Sequence, residues 1–282
     1  MILIHRVVSG GSLALVDPIR LEEALPCSLG AAPLVPNGME NEAHLMPLGI
    51  RLSELDQSRQ DEFLAWIERN VSENKDPPPV MFVDADTSVD SLLTHLRRLL
   101  VITLSSRRQS LFRYYDPSVI RHFDWLFNES QRAALYGPAE RWVWWNNGVW
   151  QATSKPRAKR PLRFRPDAIE SARLGRVAAL NSVLKSLEEP QVPESFAALC
   201  LRLDSFLARA QKKGWRDERD WEAFAEKCHD CHPNFDEHPR VVQLLEQARK
   251  DECAFSDVVC VVDDEFWQAI RADLSVSNAA ME

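Results

Sequence analysis

The sequence predicts an α+β protein in which an N-terminal mixed α/β lobe with a small sheet precedes a mainly α-helical C-terminal lobe. Before residue 154, short apolar runs that suit strands alternate with segments whose apolar residues recur every three or four positions. After residue 166, the helical spacing dominates. Residues 154–166 between them carry six basic residues, three prolines and no acid. We therefore predict lobes at 1–153 and 167–282, joined by a basic, proline-rich linker at 154–166.

Composition narrows the class of protein. The chain has 282 residues and a formal net charge of -8. This negative charge argues against nucleic acid as the main ligand, because proteins that bind nucleic acids neutralise the phosphates with a positive surface. No apolar stretch approaches the ~20 residues of a membrane span, and no clear cleavage site follows the first apolar run. We expect a cytoplasmic protein with no membrane partner, whose six cysteines are thiols.

In the N-terminal lobe, turn and capping residues separate the predicted elements. Thr87 or Ser88 can cap the helix that follows an apolar strand, Asp116 before a proline starts another helix, and Gly137 stops a later segment. Asn147 and Gly148 suit a tight hairpin turn. Strands are predicted in 12–18, 44–52 and 77–86, helices at 63–71, 87–100 and 117–127, a strand–turn–strand unit at 101–115, and a hairpin at 141–151.

In the C-terminal lobe, apolar stripes predict a series of helices. The tail from Cys253 to Ile270 fits either a strand or a helix, and we favour the helix. A further helix is expected to begin near Pro239. The stripes are Ile169, Val177, Leu180, Leu184 and Leu187, then Phe196, Leu199, Cys200, Leu203, Phe206, Leu207 and Ala210, then Trp221, Phe224, Ala225 and Cys228, and then Val241, Leu244, Leu245 and Ala248.

Two features are candidates for partner binding. Alternation in the predicted hairpin puts Trp142 and Trp144 on one face and Trp145 on the other, so the hairpin is either sandwiched in the core or exposes one aromatic face to a protein partner. The basic linker is either a solvated connector or a docking patch for an acidic partner. The candidate partner-binding residues are Trp142, Trp144, Arg157, Lys159 and Arg160.

The stretch "CHDCH" at 228–232 has the form of a haem-attachment motif. Cys228 continues an apolar helical stripe, so we expect it to be buried, and Pro233 ends that helix near Cys231. Zinc would need four ligands and usually a second close pair, which Cys253 and Cys260 do not supply. We predict packing cysteines with no cofactor, and keep a metal site at Cys228 and Cys231 as an alternative.

Other polar residues could bind a metal or take part in catalysis, but we favour a structural role for each of them. Asp84 and Asp86 follow a strand, where they could hold a divalent cation or favour the positive end of the next helix. His95 lies near an apolar face and suits a hydrogen-bonded core position. No nucleophile elbow or glycine-rich phosphate loop is present, so we predict no catalytic residues and no resident metal.

The central run "LLTHLRRLLVITLSSRRQSLFRYYDPSVIRHF", followed by "QRAALYGPAERWVWW", resembles the type VI secretion effector chaperone or adaptor family, which carries the DUF 4123 domain. The segments "LALVDPIRLEEAL" and "NFDEHPRVVQLL" are similar to its early and late segments, although Pro18 replaces a usual small residue. The resemblance covers residues 12–150 closely. The matching positions are His95, Leu96, Arg97, Phe112, Arg113, Tyr115, Asp116, Pro117, Gly137 and Pro138.

The resemblance implies a non-enzymatic, cytoplasmic adaptor that binds a toxic effector and promotes its loading onto the VgrG spike. Arg97 and Arg113 could each pair with Asp116 or cap a buried carbonyl, so the motif residues are interpreted as scaffold. The second lobe is the expected contact for the effector, and the aromatic or basic surfaces for the spike. The alternative is a metal-binding protein or metal-dependent enzyme that uses Cys228 and Cys231, or Asp84 and Asp86.

Overall fold

The computed structural model describes residues 2–21, 23–73, 80–146, 148–158, 163–187 and 194–279. The chain divides into two compact units, Met1–Ser171 and Ala172–Glu282. The first unit contains the strands and the second is helical, which confirms the predicted fold class. The predicted linker at 154–166 precedes this division and lies within the first unit.

The first unit is built on a six-stranded antiparallel sheet. Its spatial order is β2-β3-β1-β4-β7-β8, and two further strands, β5 and β6, pair with each other in a separate ribbon. The strands are β1 Leu13–Val16, β2 Ala32–Pro33, β3 Leu48–Arg51, β4 Val80–Asp84, β5 Val101–Thr103, β6 Gln109–Leu111, β7 Arg141–Asn146 and β8 Val149–Ser154.

Three helices of the first unit begin at a residue whose side chain caps the helix. Ser88 accepts a hydrogen bond from the Ser91 amide at the start of α3, Asp116 does the same for Ser118 at α4, and Asn128 caps α6. The helices are α1 Ile2–Gly10, α2 Gln57–Glu73, α3 Val89–Leu99, α4 Pro117–Ile120, α5 Phe123–Leu126 and α6 Glu129–Tyr136, and α7 Ala168–Leu174 crosses the division.

Both faces of the central strands are buried, because alternate side chains enter two different cores. On one face, Phe82 and Val143 join a cluster that includes Phe63 and Trp66 of α2. On the other face, Trp142 stacks on Tyr136 with ring centroids 4.4 Å apart. Coverage on both sides explains why β1 and β4 read as nearly continuous apolar runs.

The second unit buries an aromatic cluster between its helices. Phe224 of α10 contacts Trp215, Phe235 and Phe255 at centroid distances of 5.2 to 5.9 Å, and α9 and α10 pack closely. The helices are α8 Val177–Ser186, α9 Phe196–Lys212, α10 Glu218–Asp230, α11 Pro239–Lys250, α12 Phe255–Val261 and α13 Asp264–Ala279.

Several local expectations need correction. Ile169 is 62% exposed, because α7 instead buries Glu170, whose Oε2 accepts from Gln131 Nε2 at 2.6 Å and from the Asp167 amide at 2.7 Å. Phe196 is also largely exposed. The helix expected at 117–127 is two short helices, and the tail forms α12 and α13. Asn147, half of the predicted hairpin turn, lies outside the described residues.

Two adjacent buried tyrosines provide a test of the core beside the sheet. Tyr114 donates its hydroxyl proton to the Leu96 carbonyl at 3.0 Å, whereas the buried Tyr115 hydroxyl has no hydrogen-bond partner among the described residues. We expect Tyr114→Phe to lower the free energy of unfolding by about 1–2 kcal/mol. Tyr115→Phe should change it by less than about 0.5 kcal/mol or raise it. Urea denaturation of both variants measures the difference, and equal costs would contradict these assignments.

Candidate functional site

Two residues of the family-like motif, Arg113 and Asp116, take part in a buried ionic network. Arg113 Nη2 donates to Asp17 Oδ2 and lies 3.3 Å from Asp116 Oδ2. Arg20 Nη1 donates to Asp116 Oδ1, also at 3.3 Å. Both carboxylates are almost fully buried. Arg113 therefore joins the end of β1 to the start of α4, which are separated by about a hundred residues in the chain.

The two carboxylates of this network also cap helices. Asp17 accepts from the Ile19 amide at 3.2 Å, and Asp116 accepts from the Ser118 amide and hydroxyl at 2.9 and 2.7 Å. Burial is the largest influence on Asp17 and raises the pKa of its carboxyl, with Arg113 acting in the opposite direction. Every oxygen of Asp17 and Asp116 thus has a structural partner, as the scaffold interpretation predicts.

Arg97 does not join this network. Among the described residues it makes no ion pair with Asp116, and it borders a surface groove instead. Of the two roles expected for Arg97, pairing with Asp116 or capping a buried carbonyl, the first is not found among the described residues. Sequence reasoning also missed Asp17 and Arg20 as partners of the motif, and the available signal was an Asp directly after an apolar strand in "LALVDP".

A second part of the motif joins His95 to Gly137. His95 Nε2 donates to the Leu135 carbonyl at 2.9 Å in the tautomer that this contact requires. A Cβ atom on Gly137 would lie 2.2 Å from the His95 ring, and Gly137 has a φ of +55°. Burial is the main cause that lowers the pKa of His95. This histidine is half-buried and is held in place by its contact with the Leu135 carbonyl.

The indole rings of Trp142 and Trp144 are buried, with 0% and 4% exposure. Trp142 contacts Tyr114 and Phe123 at centroid distances of 6.0 and 6.3 Å, in addition to Tyr136. Strand β7 of the hairpin is therefore sandwiched in the core, as one of the two expectations had it, whereas β8 is an edge strand with mostly exposed side chains. Neither ring offers surface to a partner, and the prediction that they form a binding face is corrected accordingly.

The described part of the basic segment packs on the first unit. Phe164 stacks on Phe112 with centroids 5.5 Å apart and meets the edge of Phe127. Lys155 Nζ donates to the Gly137 carbonyl at 2.5 Å. A purely solvated connector does not describe these residues. Of the predicted docking patch, Arg157 is exposed, while Lys159 and Arg160 lie outside the described residues.

The cysteines of the "CHDCH" stretch face the interior of the second unit. Cys228 is fully buried, and burial raises the pKa of its thiol to about 12. Cys231 Sγ donates to the Trp267 carbonyl at 3.4 Å. In the described part of the chain, no group of three or more His, Cys, Asp or Glu side chains could hold a metal ion. These thiols are packing residues.

The two acidic residues after β4, Asp84 and Asp86, lie in different environments. Asp84 Oδ2 accepts from Arg141 Nε at 2.7 Å across the β4–β7 pairing, while Asp86 is exposed. The cap of α3 is Ser88, so the expectation that the two aspartates favour the start of that helix is replaced by an ion pair with Arg141.

Two adjoining grooves border α3 and β5 on the first unit. The larger has a volume of about 1120 Å³ and the smaller about 560 Å³, and they share Arg98 and Val101. The larger is lined by His95, Arg98, Leu99, Val101, Ile102, Thr103, Ala134, Gly137, Arg163, Phe164 and Arg165. Positive charge and an apolar floor make it the candidate contact site of this unit.

Residues 14–134 match a family described as a domain of unknown function, DUF4123. The match spans less than half of the chain and contains the whole ionic network of Asp17, Arg20, Arg113 and Asp116. No curated protein and no solved structure matches the chain. None of the helices in the described ranges is both long and apolar enough to cross a bilayer.

The contact between Gly137 and His95 predicts a specific stability effect. We expect Gly137→Ala to lower the free energy of unfolding by about 2–5 kcal/mol, because it combines backbone strain with a clash. Gly214→Ala is the matched control, since Gly214 also has a positive φ but no atom within 4 Å of an added Cβ. It should cost about 1–2 kcal/mol.

Adding His95→Ala to Gly137→Ala should remove the clash and restore part of the lost stability. The two changes should therefore be non-additive by more than about 1 kcal/mol in urea denaturation. Additive effects would show that the ring does not limit this position.

Thiol accessibility tests the arrangement of the cysteines. Native protein treated with iodoacetamide should be alkylated at the exposed Cys27, Cys253 and Cys260 and protected at Cys200 and Cys228. Peptide mass spectrometry locates the modification, and the same reaction in denaturant should label all of these thiols. Rapid native labelling of Cys228 would overturn its placement in the core.

Proposed function

We propose that this chain is a non-enzymatic cytoplasmic adaptor that binds a type VI secretion effector and promotes its loading onto the VgrG spike. The observation that carries the proposal is the DUF4123 match over residues 14–134, a domain known in effector adaptors of this secretion system. Within the matched residues, Arg113 forms buried ion pairs with Asp17 and Asp116. A toxin effector and VgrG are the proposed partners.

The use of the motif residues supports a binding role over a catalytic one. Asp17 and Asp116 are occupied by Arg113, Arg20 and backbone amides. His95 is held by the Leu135 carbonyl. Groups that serve as a general acid, base or nucleophile need access to a substrate, and these groups instead fix elements of the fold.

The proposed adaptor has two units, and only the first contains the DUF4123 match. The DUF4123 match lies within Met1–Ser171, whereas Ala172–Glu282 is a separate helical unit outside the match. We propose that surfaces outside the buried motif make the contacts with effector and spike. The alternative of a metal-binding protein finds no support in the packed Cys228 and Cys231 or in the Asp84–Arg141 pair.

Co-purification tests the adaptor function. The tagged chain is co-expressed with the proteins encoded beside its gene, and with candidate VgrG and toxin proteins of the same genome. We expect the chain to retain the toxin, and a complex containing VgrG to form when all three are present. The outcome that rejects the proposal is failure to retain any of these proteins by a chain whose circular dichroism spectrum shows it to be folded.

Delivery in cells provides a second readout. Deleting the gene should reduce transfer of the cognate toxin to target cells, while another effector of the same secretion system should be delivered normally. A plasmid copy of the wild-type gene should restore transfer. Equal loss of both effectors would indicate a general defect in secretion and contradict a cargo-specific adaptor.

A further inference from the structure

The larger groove of the first unit concentrates unpaired positive charge. Arg98, Arg163 and Arg165 line it, and Arg97 lines the adjoining smaller groove. None of these four arginines makes an ion pair with another described residue, and neither groove has an acidic lining residue. The chain as a whole has a net charge of -8. The groove is therefore a local positive site on an acidic protein, which attracts a ligand of negative charge.

The floor of the groove is apolar and lies along a strand edge. Leu99, Val101 and Ile102 contribute to its lining. β5 pairs with β6 alone in its sheet, in the register Val101 with Leu111 and Thr103 with Gln109. One edge of β5 is consequently unpaired in the described structure, and an open edge accepts the main chain of an extended peptide.

The direction of the β5 backbone groups can be assigned from two hydrogen bonds. The Phe112 amide donates to the Leu100 carbonyl at 2.8 Å, and the Leu104 amide donates to the Arg108 carbonyl at 2.9 Å. Backbone groups alternate in an antiparallel pair, so those of Val101 and Thr103 point away from β6. These residues can therefore pair with a further strand without disturbing the ribbon.

Phe164 also lines the groove. Its ring packs on Phe112 and Phe127, and it is flanked by Arg163 and Arg165, both exposed. An anchored aromatic ring between two exposed cations keeps the two guanidinium groups near the groove at a small cost in conformational entropy.

We propose that this groove binds an extended acidic segment of a protein partner, which adds to the free edge of β5 and sets its carboxylates against Arg98, Arg163 and Arg165. Alternate side chains of such a segment would face the apolar floor. A nucleic acid would lack those apolar groups and would meet an acidic surface beyond the groove. The assignment of the partner as the effector rests on the proposed adaptor function.

The test uses the full chain and a fluorescein-labelled peptide of about eight residues in which Glu alternates with Val, a length that spans a strand edge. Fluorescence anisotropy should show saturable binding. Replacing Glu by Gln in the peptide should weaken binding, as should the triple variant R98E/R163E/R165E, each by about tenfold or more. Arg249→Glu, at an exposed position in the second unit, is the control and should bind as the wild type does.

A second variant tests the strand edge separately from charge. Thr103→Pro removes an amide that points away from β6, so thermal unfolding should change little while binding falls by about tenfold. Absence of saturable binding to the wild type, equal binding of the Gln peptide, or undiminished binding by the triple variant would each overturn the proposal. Tighter binding of an oligothymidylate than of the Glu peptide would also overturn it in favour of nucleic acid.

Co-purification separates this proposal from the adaptor function. Toxin retained by both the wild type and R98E/R163E/R165E would support an adaptor but reject the groove as its effector site. Peptide binding without retention of any neighbour-encoded protein would support the groove and reject the adaptor function. Loss of toxin only in the triple variant supports both.

Discussion

The bridge that Arg113 makes between Asp17 and Asp116 is the contact on which the first unit depends. It joins the end of β1 to the cap of α4, and both carboxylates are buried where they require a cationic partner. The adjacent Tyr114 enters the core against Trp142. Loss of the guanidinium would leave two buried carboxylates with insufficient compensation, so the network fixes the end of β1 and the start of α4 relative to each other.

The first unit combines a buried core with a surface groove, and this arrangement suits the adaptor function proposed above. The central strands are covered on both faces, whereas β5 keeps one edge without a strand partner in the described structure and borders a groove lined by arginines that make no ion pair with another described residue. A partner can add to such an edge without reorganising the core. In the proposed binding mode, addition to this edge would cost little conformational entropy on the side of this chain, and the charge pattern of the bound segment would determine specificity.

The sequence was a good guide to the elements and a poorer guide to the surfaces. Ser88, Asp116 and Gly137 ended or began helices where expected, because caps act on neighbouring amides. Burial of Cys228 followed from helical spacing alone. Whether the face that carries Trp144 is buried or exposed could not be predicted, because alternation specifies two faces of a strand but not what covers each of them.

The amino-acid sequence by itself determined most of the strands and helices of the first unit, although not α1, β2 or the division of 117–127 into two helices, and it also determined the change to a helical second unit and the motif that relates residues 14–134 to DUF4123. Only the tertiary structure decided that Asp17 is the partner of Arg113, that Gly137 makes room for His95, and that Phe164 fastens the basic segment beside β5. The reason is the range of the interactions: periodicity and capping act within a few residues, whereas these contacts join residues that are distant in the chain and meet only after the sheet has formed.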